Sequence, residues 1–179
     1  MSKPSLDYTI LKATPDDVLG ITDVLYKTWL STYPNVEHRI TVDDIEDLFK
    51  ETLKGENLEK RRDAVKNIPP NQNRLVAKIN NQVVGSSTVV IREEYNQLQS
   101  IYVLPEFQGN GIGKAFWNEH KKFLDPEKDT IVHVAVYNTN AIRFYESLGF
   151  VDTGKRFSEE RFKMKSGSMI PEIELILRK

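Results

Sequence analysis

Apolar positions alternate with polar ones in some parts of the chain and recur at helical spacing in others, and this pattern predicts the order of the elements. Near the N-terminus, a short strand over Tyr8–Lys12 precedes a helix that starts at Thr14-Pro15-Asp16-Asp17. A capping hydroxyl, a proline at the first helical position and acids in the first turn are typical of a helix start. The apolar residues that follow at helical spacing are Val18, Ile21, Leu25 and Trp29.

The next segment predicts a second helix, a charged helical stretch and a loop. The second helix begins near Thr41, and the residues in register on one face are Ile45, Leu48, Phe49, Thr52 and Leu53. Gly55 interrupts this helix, and the charged stretch continues to about Asn67. Pro69-Pro70-Asn71 then marks a loop.

The remainder of the chain predicts mostly strands. Arg74–Ile79 and Gln82–Arg92 form a β-hairpin across Asn80-Asn81. Strands and helices then alternate over Leu98–Val103, Lys114–Leu124, Thr130–Tyr137 and Thr139–Leu148. Two final strands are expected over Phe162–Met164 and Glu172–Leu177. This order of elements predicts an α/β sandwich with a mixed sheet.

A glycine-rich turn, Gln108-Gly109-Asn110-Gly111-Ile112-Gly113, joins a predicted strand to a predicted helix. Glycines let the backbone approach an anion closely, and the free N–H groups of the first helical turn point at it. A dinucleotide-binding fingerprint would require a third glycine where Lys114 stands, and a P-loop would require Ser or Thr where Ala115 stands. The turn therefore indicates a pyrophosphate cradle of another kind, although plain strand-to-helix connections also contain such glycines.

Composition and charge narrow the class of protein. The chain has 179 residues, of which 25 are basic and 26 acidic, and its net charge is −1. A single domain over residues 1–179 is expected from this length. The balanced charge gives no sign of a nucleic-acid or membrane partner. Because no long apolar run and no signal-like N-terminus is evident, the expected location is cytoplasmic.

Side chains that hold metals or form acyl intermediates are scarce. The chain has no cysteine, which removes disulfides, cysteine-based metal sites and an acyl-cysteine mechanism. The three histidines, His38, His120 and His133, lack metal-ligand spacing, so no metal is predicted.

Two blocks of sequence resemble the GCN5-related N-acetyltransferase (GNAT) superfamily. Gln108, Gly111 and Gly113 match the family signature Gln/Arg-x-x-Gly-x-Gly/Ala, which follows the fourth strand. The second block, in the family's order and spacing, consists of Val134, Asn138, Ala141, Tyr145 and Gly149-Phe150. The resemblance implies a mixed, mostly antiparallel sheet of six or seven strands, flanked by about four helices and splayed between the fourth and fifth strands.

The resemblance also implies an activity, in which the acetyl group of acetyl-CoA moves directly to a primary amine within a ternary complex. The pyrophosphate of this co-substrate would lie on the N–H groups of the glycine turn, and its pantetheine arm beside the fourth strand. Strand alternation predicts that Ile101 and Val103 face away from Leu98, Ser100 and Tyr102. The residues assigned to acetyl-CoA are Ile101, Tyr102, Val103, Gln108, Gly109, Asn110, Gly111, Ile112, Gly113, Lys114, Asn138 and Tyr145.

Two of these residues receive specific roles from the resemblance. Asn138 would form a side-chain hydrogen bond with the pantetheine arm, and it is also placed to cap the following helix. Tyr145 occupies the position of the general acid. A phenol with a pKa near 10 can donate a proton to a departing thiolate whose acid has a pKa of about 8.5. A plain core role is the alternative, because Tyr145 shares a helical face with Ala141 and Leu148.

No motif in the sequence identifies the general base or the acceptor. His133 on the fifth strand, and Glu94 acting through a water, are the candidates for the base, and both have ordinary structural explanations. Trp29 and Tyr33 are the candidates for the acceptor site. An aromatic pair with acids nearby, here Asp43 and Asp44, would suit a cationic amine.

Several alternatives stay open at this point. The acceptor could be a polyamine, a protein N-terminus, an amino acid or an antibiotic, and the order of segments is faintly similar to the polyamine acetyltransferase branch. Homodimers are common in the family, so a homodimer is one expectation. Because no base is evident, a non-catalytic acyl-CoA-binding or regulatory module on the same fold is the alternative function.

Overall fold

Seven strands form one sheet in the computed structural model, which describes residues 6–52 and 54–179. In chain order they are β1 (Thr9–Lys12), β2 (Gln72–Ile79), β3 (Gln82–Ile91), β4 (Asn96–Val103), β5 (Thr130–Ala135), β6 (Val151–Ser158) and β7 (Pro171–Leu177). The order across the sheet is β1-β2-β3-β4-β5-β7-β6. β4 and β5 are parallel and the other described neighbours are antiparallel, which confirms the predicted mixed sheet.

Five α-helices accompany the sheet within the described residues. They are α1 (Val18–Thr32), α2 (Val42–Phe49), α3 (Gly55–Lys66), α4 (Ile112–Lys121) and α5 (Thr139–Ser147). The extra helix relative to the prediction is α3, since the charged stretch after Gly55 forms a helix of its own. Leu53, which the pattern places on the face of α2, lies outside the described residues. None of the helices in 6–52 and 54–179 combines the length and apolarity that crossing a membrane requires.

The helices pack on both faces of the sheet. Alternating side chains of β5 show this most simply. Val134 packs with Trp117 of α4 and Tyr145 of α5, whereas the next residue, Ala135, packs with Trp29 of α1. Any group placed between β4 and β5 therefore has access to both helical layers.

The two parallel strands separate halfway along their length. Their paired residues end with Leu98 and Val132, although β4 continues to Val103 and β5 to Ala135. The separation coincides with a β-bulge, because Leu98 and Ser100 have partners on β3 and Gln99 has none. A bulge bends its strand and increases the local twist. The predicted splay between the fourth and fifth strands is present, and this extra residue accompanies it.

The bulge also changes the direction of the β4 side chains. Leu98 packs with Trp117 of α4, and Ile101 packs in the same cluster beside Gly113. The prediction that Ile101 faces away from Leu98 is therefore wrong, because strict alternation assumes that no extra residue intervenes. Tyr102 points to the other face, toward the cluster that contains Trp29.

The predicted strand over Phe162–Met164 is also wrong. The sixth strand is β6, earlier in the chain, and a short 3-10 turn occupies Glu160–Phe162. β6 lies at the edge of the sheet and is largely exposed, so it lacks the apolar alternation that identifies a half-buried strand.

Candidate active site

A cleft of about 700 Å³ opens where β4 and β5 separate. The glycine turn and the first turn of α4 form one end, α5 forms a wall, and the end of α1 closes the far side. Eleven of the twelve residues assigned to acetyl-CoA from the sequence line this cleft, and the exception is Asn110. The volume lies within the range of small-molecule sites, about 300–1,000 Å³.

The glycine turn presents a row of backbone donors to the cleft. Gly109 (φ 75°) and Gly111 (φ 83°) are left-handed, and Gly111 is the N-cap of α4. Within the described part of the chain, Ala115 is the first helical residue whose N–H finds a carbonyl, that of Gly111, at 2.9 Å. The preceding N–H groups, at 109–114, are therefore free to bind an anion, and the positive end of the helix dipole favours one.

Side-chain amides hold this turn in place. Gln108 Nε2 donates to the Val103 carbonyl at 2.9 Å, which ties the turn to the end of β4. Asn110 Nδ2 donates to the Phe107 carbonyl at 3.0 Å. Asn110 thus supports the turn from outside the cleft. A Cβ on Gly113 would come within 3.1 Å of the Phe144 ring, so a glycine lets α4 approach α5 closely.

The exposed edge of β4 forms the middle of the cleft. Beyond Leu98 this strand has no partner on its β5 side, while Ile101, Tyr102 and Val103 remain paired with β3. The backbone groups that point toward β5 are thus left for another extended chain to pair with. The side chain of Tyr102 leaves the edge in the opposite direction from Ile101.

Two residues of the α5 segment face this edge. Asn138 is the N-cap of α5, and its Oδ1 accepts a hydrogen bond from Ala141 N at 3.1 Å. The capping role is confirmed, and the Nδ2 donor remains available to a ligand. Tyr145 is 6% exposed and packs against Phe144 and Phe150. Burial raises the pKa of its phenol, with a smaller contribution from Tyr102, so the hydroxyl stays protonated at neutral pH.

A second cavity of about 170 Å³ lies on the other side of the separated strands. Trp29, Phe162, Ile170, Arg161 and Glu172 are among its lining residues. Four residues line both cavities, which shows that the two meet at the gap between β4 and β5: Tyr33, Gln99, Tyr102 and His133.

Phenol groups occupy this junction. The hydroxyls of Tyr33 and Tyr102 lie 3.5 Å apart, and Tyr137 donates to the Tyr33 carbonyl at 3.0 Å. Burial raises the pKa of Tyr33 and of Tyr102. The nearby Trp29 indole N–H acts in the opposite direction on the pKa of Tyr102, with a smaller effect than burial. This N–H has no hydrogen-bond partner of normal geometry among the described residues. The phenols at the junction are therefore polar but uncharged at neutral pH.

The family to which these features point is settled by comparison of sequences. A model of the acetyltransferase (GNAT) domain matches residues 36–166, which include the glycine turn and most of the residues that line the two cavities. The chain belongs to the GNAT acetyltransferase family. No curated protein matches the sequence significantly.

Solved structures with the GNAT fold are similar to nearly the whole chain. PaiA N-acetyltransferase from Thermoplasma acidophilum, in complex with coenzyme A, is 21% identical with a TM-score of 0.65, over 93% of this chain and 98% of that one. The yncA protein from Salmonella typhimurium, with its cofactor acetyl-CoA, is 21% identical with a TM-score of 0.62, over 96% and 94%. A GNAT acetyltransferase from Streptococcus pneumoniae is 17% identical with a TM-score of 0.68, over 96% and 99%.

The two bases predicted for this GNAT protein lie in different surroundings. His133 lines both cavities, where its ring nitrogens lie 3.4 Å from Glu159 Oε1 and 3.3 Å from Glu174 Oε2. Glu94 is exposed in the bend between β3 and β4, and it lines neither cavity. The larger cleft opens beyond Leu98, toward the other end of β4, so the structure does not bring Glu94 to it.

Asp43 and Asp44, the acids expected near the aromatic pair, belong to the first turn of α2. Asp44 Oδ2 accepts hydrogen bonds from Thr41 N and Oγ1 at 2.9 Å, so it is part of the cap of α2. Asp43 is exposed in the first turn of the same helix. Trp29 lines the smaller cavity, and Tyr33 lines both cavities. The aromatic pair is therefore at the site, whereas Asp43 and Asp44 line neither cavity.

Sequence reasoning missed the two carboxylates that line the smaller cavity, Glu159 and Glu172. Glu172 lies on β7, where it pairs with Ala135 of β5, and its side chain lines this cavity. The segment Pro171-Glu172-Ile173-Glu174-Leu175 alternates as a half-exposed strand does, and in such a strand the polar residues usually face solvent. Trp29, Tyr33 and Phe162, which come from other parts of the chain, line the same cavity as Glu172.

Proposed function

We propose that this GNAT protein transfers the acetyl group of acetyl-CoA directly to a primary amine in a ternary complex, with Tyr145 as the general acid. The observation that carries the proposal is the form of the cleft. Unpaired N–H groups lie at one end, an unpaired strand edge runs along the middle, and the cleft leads past Tyr145 to a second cavity.

The residues along the cleft suit the successive parts of acetyl-CoA. The N–H groups of 109–114 and the Lys114 ammonium offer donors and positive charge to a pyrophosphate. A pantetheine arm contains amides, which the free edge of β4 and the Nδ2 group of Asn138 are placed to bind. That two structural relatives were solved with coenzyme A or acetyl-CoA supports the same ligand here.

The proposed reaction needs one proton donor beside the thioester sulfur. The amine nitrogen forms a bond to the acetyl carbon, and the C–S bond then breaks to release a thiolate. Tyr145 donates its proton to that sulfur, and the proton that the nitrogen loses restores the phenol. Because the pKa of a phenol exceeds that of a thiol, the donation is useful only as negative charge develops on sulfur.

Replacing the hydroxyl tests this role. Tyr145→Phe is expected to keep the fold and coenzyme A binding, while the single-turnover rate of acetyl transfer falls roughly ten- to thousandfold. Thiol release from acetyl-CoA across a panel of primary amines gives the rate, and calorimetry gives the affinity for coenzyme A. Tyr26→Phe is the matched control, because Tyr26 packs against Phe49 and lines neither cavity.

The outcomes separate the two functions. An unchanged single-turnover rate in Tyr145→Phe would rule out this residue as the acid. Saturable coenzyme A binding without thiol release, for every amine in the panel, would instead identify a non-catalytic binding module.

A further inference from the structure

We infer that the smaller cavity binds the acceptor as a small alkylammonium ion, and that the Glu172 carboxylate receives this ion and takes its proton. The inference rests on the proposed function and deepens it, because it names the acceptor class and the base. It concerns a residue on β7, outside both sequence blocks that resemble the family.

The Glu172 carboxylate has one buried oxygen without a partner among the described residues. Oε2 is fully buried, and it has no hydrogen-bond partner within 6–52 and 54–179. An unpaired buried carboxylate oxygen is costly, since the desolvation of the charge is not offset by any bond. Such a cost is expected where a cationic ligand supplies the missing partner.

The shape and chemistry of the smaller cavity suit a small cation. Its volume of about 170 Å³ is suited to a small ligand. Trp29, Tyr33 and Phe162 form aromatic walls, and aromatic faces attract cations. An ammonium ion could thus contact Glu172 while its alkyl chain lies against the rings.

The smaller cavity adjoins the larger cleft. Tyr33, Gln99, Tyr102 and His133 line both spaces, so the route from Glu172 to the thioester passes through the gap beside the bulge. An amine bound at Glu172 would reach the acetyl group from the side opposite the glycine turn.

The groups that face Glu172 set its proton affinity. Burial raises the pKa of this carboxyl to about 7, the nearby Glu159 carboxylate adds to the rise, and Arg161 opposes it. Further titratable groups around it are Tyr33, Tyr102, Tyr137 and His133, the last of which lies between Glu159 and Glu174. A base with a pKa near the working pH is the most effective one for removing a proton.

The proton balance of the step is simple. One N–H bond of the ammonium breaks, and its proton bonds to a Glu172 oxygen, which leaves a lone pair on nitrogen for attack on the acetyl carbon. The proton exchanged between nitrogen and sulfur through Tyr145 is a separate one. Each turnover thus releases one proton, which Glu172 passes to solvent. An amine that is already neutral does not need this step.

The test compares Glu172→Gln with wild type, using n-butylamine as an alkylammonium probe and aniline as an amine that is neutral at neutral pH. We expect kcat/KM for n-butylamine to fall by about 100-fold or more at neutral pH. The loss should shrink as the pH approaches the pKa of the free amine, about 10.4, and coenzyme A affinity should not change. The much slower aniline reaction should change far less. Glu160→Gln is the control, because Glu160 is adjacent to the lining residues but its side chain is 77% exposed.

The pH dependence and the comparison of the two amines supply the outcomes that support or contradict the role of Glu172. Wild-type kcat/KM for n-butylamine should also rise with an apparent pKa near 7 that the variant lacks. If Glu172→Gln retains kcat/KM for n-butylamine within twofold, or if both amines lose activity equally at every pH, the inference is wrong while the proposed function stands. If wild type releases no thiol with any amine, the proposed function itself has failed.

Discussion

At the scale of single residues, His120 shows how a buried side chain supports the cleft without entering it. His120 is 0% exposed, and its Nε2 lies 2.8 Å from the Ser87 hydroxyl. Ser87 in turn donates to the Ser100 carbonyl at 2.8 Å, beside the bulge of β4. Since the Ser87 hydrogen is used there, Nε2 of a neutral imidazole donates to Ser87, and Nδ1 faces Asn73 Nδ2 at 3.4 Å.

This arrangement predicts a pH-dependent stability. Burial lowers the pKa of His120 from 6.5 to about 4, so the folded state binds a proton less readily than the unfolded state. The contribution of His120 to stability is therefore complete above pH 6.5 and is lost as the pH falls toward 4. His120→Gln should be less stable overall, and its free energy of unfolding should fall less steeply over this pH range. Urea unfolding at several pH values measures both slopes, and equal slopes would contradict a buried neutral histidine.

At the scale of elements, the shape of the turn before α4 depends on left-handed backbone conformations more than on side-chain contacts. Gly109 has φ 75° and no heavy atom within 4 Å of where its Cβ would lie. A methyl group there meets no steric obstacle, but the left-handed conformation becomes strained by about 1–2 kcal/mol. Relief of that strain would turn the N–H groups away from a common point.

Gly109→Ala is therefore expected to weaken coenzyme A binding by about tenfold, since about 1.4 kcal/mol corresponds to that factor. Gly154→Ala is its matched control, because Gly154 on β6 has φ 85° and equally open space but lies far along the sheet order from the cleft. Both variants should lose similar thermal stability. Calorimetric titration with coenzyme A should distinguish them, and equal affinities would count against the turn as the anion site.

The elements themselves could be predicted to different extents from the sequence. The hairpin at Asn80-Asn81 is present as expected, with both residues left-handed at φ 48° and 66°, because asparagine tolerates this conformation and a two-residue turn requires it. The exposed edge strand β6 was missed, since a strand without a buried face has no alternation. The bulge at Gln99 was missed for a similar reason, because register is decided by pairing with β3 and not by β4 alone.

At the scale of the whole molecule, the gap between β4 and β5 joins two spaces of different chemistry. Apart from the end of α1, the larger space is lined by residues from 99–114 and 133–145, which is why the signature blocks identified it. The smaller space combines side chains from α1, β4, β5, the segment after β6, and β7. Glu172 acquires its significance from this long-range packing, so no local pattern could have shown that it is buried.

The central claim is that coenzyme A lies along the free edge of β4 with its pyrophosphate on the glycine turn. Amide hydrogen exchange, followed residue by residue by NMR with and without coenzyme A, tests it most directly. Added coenzyme A is expected to slow the exchange of the N–H groups at 109–114 and along the part of β4 beyond Leu98. Exchange in β1 and β6 should change little. Protection confined to other parts of the sheet, with unchanged exchange in the glycine turn at saturating coenzyme A, would contradict it.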